Sequence, residues 1–199
     1  MTFNLKEKLL AFTPYNDFEA AFVEQMTQFL NTSDNPYCRS NLIAHICGDA
    51  WIVNPERTKI LMLQHGDDGK WVGPGGHCDG SPDAYDATVR EVEEETGIPA
   101  SALTPVHGME LFDIGGMHKP TQVKYGRLEP EHLHLNACFL FEVSEDTPLQ
   151  ISHESLDMKW VTLEEASQLN VLGCHKLRIE KMQKGWMMQT GSHSSRITG

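Results

Sequence analysis

The chain of 199 residues has no apolar run approaching the roughly 20 residues that cross a bilayer, so no membrane-spanning segment is expected. Its five cysteines, Cys38, Cys47, Cys78, Cys138 and Cys174, never stand at C-x-x-C spacing. An odd, scattered set points to free thiols in a reducing compartment. Residues 1–8 lack the basic, apolar, then small order of a secretory leader, and a cytoplasmic location is expected. Positive charge is scarce: 16 Lys and Arg stand against 28 Asp and Glu, for a formal net charge of -12. With no basic stripe, a nucleic acid polymer is not an expected partner. A small phosphorylated ligand is still allowed, because a bound divalent cation reverses the local sign.

What is present is an ordinary globular chain with enough length for a substantial core. Leu5, Leu9, Leu10, then Phe18, Phe22, Met26 and Leu30 recur at helical spacing, broken at Thr13-Pro14. They predict an N-terminal helical extension over residues 1–36 that either packs on the following domain or builds a homodimer. Strands are expected over Leu42–Val53 and Lys59–Gln64 around a turn at Asn54–Arg57, and then at Trp71-Val72. Gly73–Gly76 reads as a loop, followed by a helix from Pro82 to Thr96 with Ser81 as its N-cap and Gly97 beyond its end. Further strands are expected around 106–113, 133–143 and 158–161, and a helix opens at Thr162 with a capping-box pattern. The domain is bounded at 37–185, and residues 186–199 are expected to form a polar, flexible tail. Hairpins around a central helix predict an α/β fold, with helices sandwiching a mixed sheet.

The chemistry concentrates between Gly75 and Ile98. On a helix, Glu91, Glu94 and Glu95 stand at i, i+3 and i+4, so their carboxylates share one face, while Tyr85, Val89 and Val92 form an apolar face beside it. Glu93 points away from both. Three crowded carboxylates repel one another, a cost that a hard divalent cation relieves; oxygen donors suit Mg²⁺ or Mn²⁺. The preceding glycines offer backbone carbonyls and let a diphosphate approach closely. A glutamate-rich helix face alone is usually solvated surface. Its spacing from the glycine pair is what separates it from that reading.

Gly76, Arg90, Glu91, Val92, Glu94, Glu95, Gly97 and Ile98 match the Nudix box, G-x5-E-x7-R-E-U-x-E-E-x-G-U, and the chain resembles the Nudix hydrolases over about 42–169. Pro82 is the single departure, standing where the family has a glutamate, with Asp79 and Asp83 close by. Within the family it resembles a branch with a GGHxDG loop, here Gly75–Gly80, and a His-x-His strand, here His132-Leu-His134. The resemblance implies a Nudix-type α/β/α sandwich that hydrolyses the diphosphate linkage of a nucleoside diphosphate derivative, a small molecule. It implies Glu94 and Glu95 as the principal metal ligands, helped by the Gly75 carbonyl, with Glu91 either ligating a metal or positioning the attacking water. Arg90 orients the glutamates, chiefly Glu94 one turn on. A metal-bound water then becomes a usable nucleophile near neutral pH.

Gly75, Gly76, His77, His132, His134 and Glu154 are expected to meet substrate. His132 and His134 alternate, so on a strand they face one side. With His77 they could also complete a metal site, although a zinc site needs a further ligand that spacing does not locate. Glu154 precedes the closing strand, where some Nudix enzymes keep a catalytic base. Glu131, His118, Lys119, Lys124 and Tyr125 are weaker candidates, while Trp71 and Phe112 read as core. The competing function is a Nudix-fold sensor that binds a nucleotide metabolite without turnover. An isomerase relative would need a cysteine beside a Ser-His-Pro signature, which is missing here.

Overall fold

The computed structural model describes residues 3–124 and 127–186; the expected tail beyond Trp186 and the candidate Tyr125 lie outside the described residues. The predicted N-terminal helices are α1 (Leu5–Ala11) and α2 (Asp17–Thr32), each capped by an asparagine whose side chain accepts from first-turn N–H groups. The strands among the described residues are β1 (Ala44–Val53), β2 (Lys59–His65), β3 (Trp71–Val72), β4 (Gly75–His77), β5 (Thr104–Met109), β6 (Leu111–Lys119), β7 (Gln122–Lys124), β8 (Arg127–Glu129), β9 (His132–Glu142) and β10 (Ser155–Thr162). The remaining helices are α3 (Ala84–Thr96), α4 (Leu163–Gln168) and α5 (Gly173–Gln183).

Eight strands form one mixed sheet in the order β10-β2-β1-β9-β5, with β3 beside β2, β4 beside β1 and β6 beside β9. β1 and β9 run parallel at its centre, and the other pairs are antiparallel. β1 is buried along its whole length, with helices α1, α2 and α3 against one face and α4 and α5 against the Trp51 and Val53 end of the other. Ala44, Ile46, Ala50 and Ile52 share a core with Leu5 and Leu9 of α1, Met26 and Leu30 of α2, and Val92 of α3. The alternate residues Trp51 and Val53 pack with Ala166 of α4 and with Ile179 and Met182 of α5. The result is the expected α/β/α sandwich, and α1 and α2 are part of its first helical layer.

Several local expectations are corrected. Gly75–His77 is a short strand on β1 rather than loop, because extended Gly75, Gly76 and His77 find partners in Asp49, Gly48 and Cys47. Helix α3 starts at Ala84, with Asp83 as N-cap instead of Ser81. The Asp83 carboxylate accepts from the Tyr85 and Asp86 N–H groups, and Ser81 Oγ accepts from Asp83 N–H. The single strand expected at 106–113 is two, and β6 runs on to Lys119, so His118 and Lys119 stand at its end. Helix α5 escaped the sequence reading because its buried side mixes His175, Arg178 and Lys181 with Cys174, Ile179 and Met182, which blurs the apolar periodicity.

Arg178 and Lys181 of that side tie three elements together. Lys181 Nζ donates to Glu19 Oε1 of α2 at 2.5 Å and to Asp113 Oδ1 of β6 at 2.7 Å. Arg178 reaches Asp113 Oδ2 at 3.0 Å and Asp49 Oδ2 of β1 at 2.8 Å. Both carboxylate oxygens of Asp49 also accept from the Asn136 amide nitrogen, at 2.9 and 2.8 Å. A buried charge is tolerated only when paired in this way.

Candidate active site

Helix α3 docks through Ala84, Ala87, Thr88 and Val92, all buried, and leaves Glu93 exposed as expected. Its close approach to β1 depends on Gly48: a Cβ there would meet Thr88 Oγ1 and stand 2.7 Å from the Ala84 carbonyl oxygen. Gly97 ends the helix in the left-handed conformation, at φ 71°, with its N–H on the Glu93 carbonyl. This docking sets the acidic face of α3 against β4. The Gly75 N–H donates to Glu95 Oε2 at 2.8 Å. A Cβ on Gly76 would lie 2.5 Å from the Glu91 carboxyl carbon, so only glycine lets that carboxylate rest on the strand.

Arg90 braces the group. Its Nη1 lies 2.9 Å from Glu91 Oε1 and 3.1 Å from Glu94 Oε2, and Nη2 donates to the His77 carbonyl at 2.8 Å. The guanidinium thus joins the glutamate face to β4. Where the family motif has its extra glutamate, Pro82 is exposed. Asp83 is committed to capping, while Asp79 borders the cavity and stands 4.0 Å from Arg90 Nη2.

Burial pushes the Glu95 carboxyl up to about 8 against the opposing pull of the Gly75 N–H, and Glu91, Glu154 and Asp49 add to the rise. Burial also raises Glu91, opposed by Arg90 and helped by Glu94. These are carboxylates that would ionise more readily beside an added cation.

Gly75, Gly76, His77, Arg90, Glu91, Glu94, Glu95, His132, His134 and Glu154 all border one cavity of about 740 Å³. They come from α3, β4, β9 and the loop before β10. Glu154 is exposed, and its carboxylate is among those that raise Glu95. His118 and Glu131 pair with each other at 2.8 Å, both largely exposed. Trp71 and Phe112 are core residues, as expected.

The sequence reading missed His45, Cys47, Asp49 and Asn136, which border the same cavity. The signal was available: 45, 47 and 49 alternate on β1 and face the side that Trp51 faces. In the parallel register His45 lies beside His134 and Cys47 beside Asn136, and β4 sets His77 next to Cys47.

A family model for the NUDIX domain matches residues 47–180, more than half of the chain. The asymmetrical bis(5'-nucleosyl)-tetraphosphatase of Mus musculus is 32% identical over 114 residues, 56% of this chain and 69% of that enzyme. The enzyme of the same name from Caenorhabditis elegans is 30% identical over 102 residues, covering 50% of this chain and 63% of its own length, under two thirds. Among solved structures, the E. coli dihydroneopterin triphosphate pyrophosphohydrolase superposes with a TM-score of 0.57 at 21% identity, over 68% of this chain and 92% of that one. That last likeness speaks for the fold alone. With the glutamate helix, the glycine strand and the matched domain in agreement, the chain belongs to the Nudix family and is a pyrophosphohydrolase.

Proposed function

We propose that the protein is a metal-dependent hydrolase that cleaves the diphosphate linkage of a nucleoside diphosphate derivative, a small molecule held in the cavity between α3 and β9. The observation that carries this reading is the placing of Glu95 and Glu91 against the backbone of Gly75 and Gly76, with Glu94 held by the same Arg90 guanidinium as Glu91. The site fits a hard divalent cation, Mg²⁺ or Mn²⁺, on its donor chemistry: Glu91, Glu94 and Glu95 offer carboxylate oxygens from one helix to one cavity, and burial leaves two of the three hard to ionise without added positive charge. Nudix hydrolases generally use divalent metal. Glu91, Glu94, Glu95 and the Gly75 carbonyl would hold it, and when bound it supplies charge for the phosphate oxygens and acidity for a coordinated water.

The chain's own residues do the rest. Arg90 fixes the rotamers of Glu91 and Glu94. The side-chain-free strand at Gly75 and Gly76 lets a diphosphate lie against the backbone. Glu154 stands at the cavity edge as the proton acceptor. The imidazoles of His77, His132 and His134 form the other wall, where the remainder of the substrate would lie. Residues 37–185 make up the hydrolase unit in this reading, with 1–36 as its helical extension.

The curated relatives put dinucleoside polyphosphates at the head of the substrates to try. The test is release of nucleotide and phosphate from a panel of nucleoside diphosphate derivatives with Mg²⁺ or Mn²⁺. Wild type is compared with Glu94→Gln and with chelated protein. Turnover lost in both supports the hydrolase. Tight binding of one compound without turnover of any would replace it with the sensor reading.

A further inference from the structure

Beside the glutamate site, and using none of its carboxylates, four side chains converge on the sheet face that carries Trp51. His45, Cys47, His77 and His134 each present one ligand atom, and those atoms all lie within 4.8 Å of one another. The imidazole centroids of His45 and His134 are 4.4 Å apart, and His77 lies 5.0 Å from each. From these side chains we infer a second metal site, a closed four-ligand zinc site of three imidazoles and one thiolate.

The sheet builds this cluster without strain. His45 and Cys47 alternate on β1, His134 is the parallel partner of His45 on β9, and His77 is the antiparallel partner of Cys47 on β4. Three hydrogen-bonded strands therefore hold the donors, a more precise support than loops would be. His45 is only 2% exposed, and beyond the Asn41 backbone its ring nitrogens have no hydrogen-bond partner among the described residues. An unsatisfied buried polar group costs about 1–3 kcal/mol, so native structures rarely keep one without a use.

The donor set chooses the ion. Nitrogen and sulfur suit Zn²⁺, whereas Mg²⁺ and Mn²⁺ prefer the oxygens of α3. Tetrahedral zinc with nitrogen at about 2.0 Å and sulfur at about 2.3 Å needs donor separations of roughly 3.3–3.5 Å, so the donors, all within 4.8 Å of one another, would close in by at most about 1.5 Å. His45 and His134 stand ready in the neutral form that a metal requires. Burial lowers His45 to about 4 and His134 further still, and each imidazole disfavours charge on its neighbours. Burial raises Cys47, and a bound cation would reverse that.

His132 completes the arrangement from outside. Its Nδ1 lies 2.7 Å from the Pro130 carbonyl, which assigns the proton there and leaves Nε2 to accept from His134 Nε2 at 3.1 Å. Ligating histidines usually have such a partner for their second nitrogen. The consequence for the neighbouring site runs through β4. Zinc on the His77 ring anchors the strand whose Gly75 meets Glu95 and whose His77 carbonyl is held by Arg90. With four protein ligands the ion has no open position, so its role is to hold β4 in place.

The test is elemental analysis of the full chain purified without chelator or a histidine tag, together with cobalt substitution. About one zinc per chain is expected, falling roughly tenfold or more in Cys47→Ser and His134→Ala and staying in Glu94→Gln. Cobalt in the wild-type protein is expected to show a thiolate-to-metal charge-transfer band and the intense visible absorption of a tetrahedral site. That readout needs no variant, so it holds if a substitution prevents folding. Protein free of zinc that takes up cobalt without the thiolate band would overturn the site, as would zinc retained in both ligand variants. Failure of the substrate panel leaves these readouts untouched.

Discussion

The substitution Gly76→Ala isolates the contact on which the catalytic reading depends. The backbone of Gly76 is not in the left-handed region, so alanine can adopt it. The added methyl would stand 2.5 Å from Glu91 Cδ and 2.6 and 2.8 Å from its oxygens, whereas carbon atoms in contact sit at about 3.5–4.0 Å. The carboxylate must therefore retreat by about 1 Å, taking with it the Arg90 Nη1 contact that also orients Glu94. Misplacing a positioned group by that much costs on the order of 100-fold in rate, about 2.7 kcal/mol of barrier. Stability should change by less than about 1 kcal/mol, because the methyl displaces the end of a flexible side chain. Gly48→Ala is the contrast: it collides with the Ala84 carbonyl and should lower the melting temperature instead. The assay is the initial rate of nucleotide release on the best substrate of the panel, with Mn²⁺ binding followed by electron paramagnetic resonance. A folded Gly76→Ala enzyme within about threefold of wild type would refute the assignment of Glu91 to the reacting site.

Other outcomes follow from the same geometry. Lys181→Met leaves Glu19 and Asp113 buried without their shared cation and should destabilise by about 3–5 kcal/mol in chemical denaturation; a loss below about 1 kcal/mol would mean the network relaxes into water. His175 is buried, and its Nε2 accepts from the Gly73 N–H at 2.8 Å; burial holds its pKa well below the ordinary value. The unfolded chain then binds a proton that the folded one refuses. The contribution of His175 is thus fully present above about pH 6.5 and declines as pH falls below it, by up to about 1.4 kcal/mol per pH unit. Melting curves of wild type and His175→Gln across that range should differ in slope, and parallel profiles would contradict the assignment. Glu154→Gln should lower kcat by about 100-fold or more at unchanged stability if this carboxylate takes the proton of the attacking water. Unaltered turnover would leave it a surface residue.

The glutamate helix was legible because its information is local. Spacing of i, i+3 and i+4 places Glu91, Glu94 and Glu95 on one face whatever surrounds the helix, and Gly97 marks its end. The two N-terminal helices and the paired strands were readable for the same reason: apolar periodicity reports a buried face when that face is apolar. Where charged residues share the buried face with apolar ones, the signal fails. Helix α5 turns Arg178 and Lys181 inward, and their partners Asp49, Asp113 and Glu19 lie on β1, β6 and α2, far away in the chain. Likewise the alternation of His132 and His134 was visible, but not that a parallel strand would bring His45 beside His134, or that β4 would bring His77 beside Cys47. Local spacing determined which carboxylates act together. Strand order and register, set by the packing of the whole sheet, decided which histidines and cysteine meet.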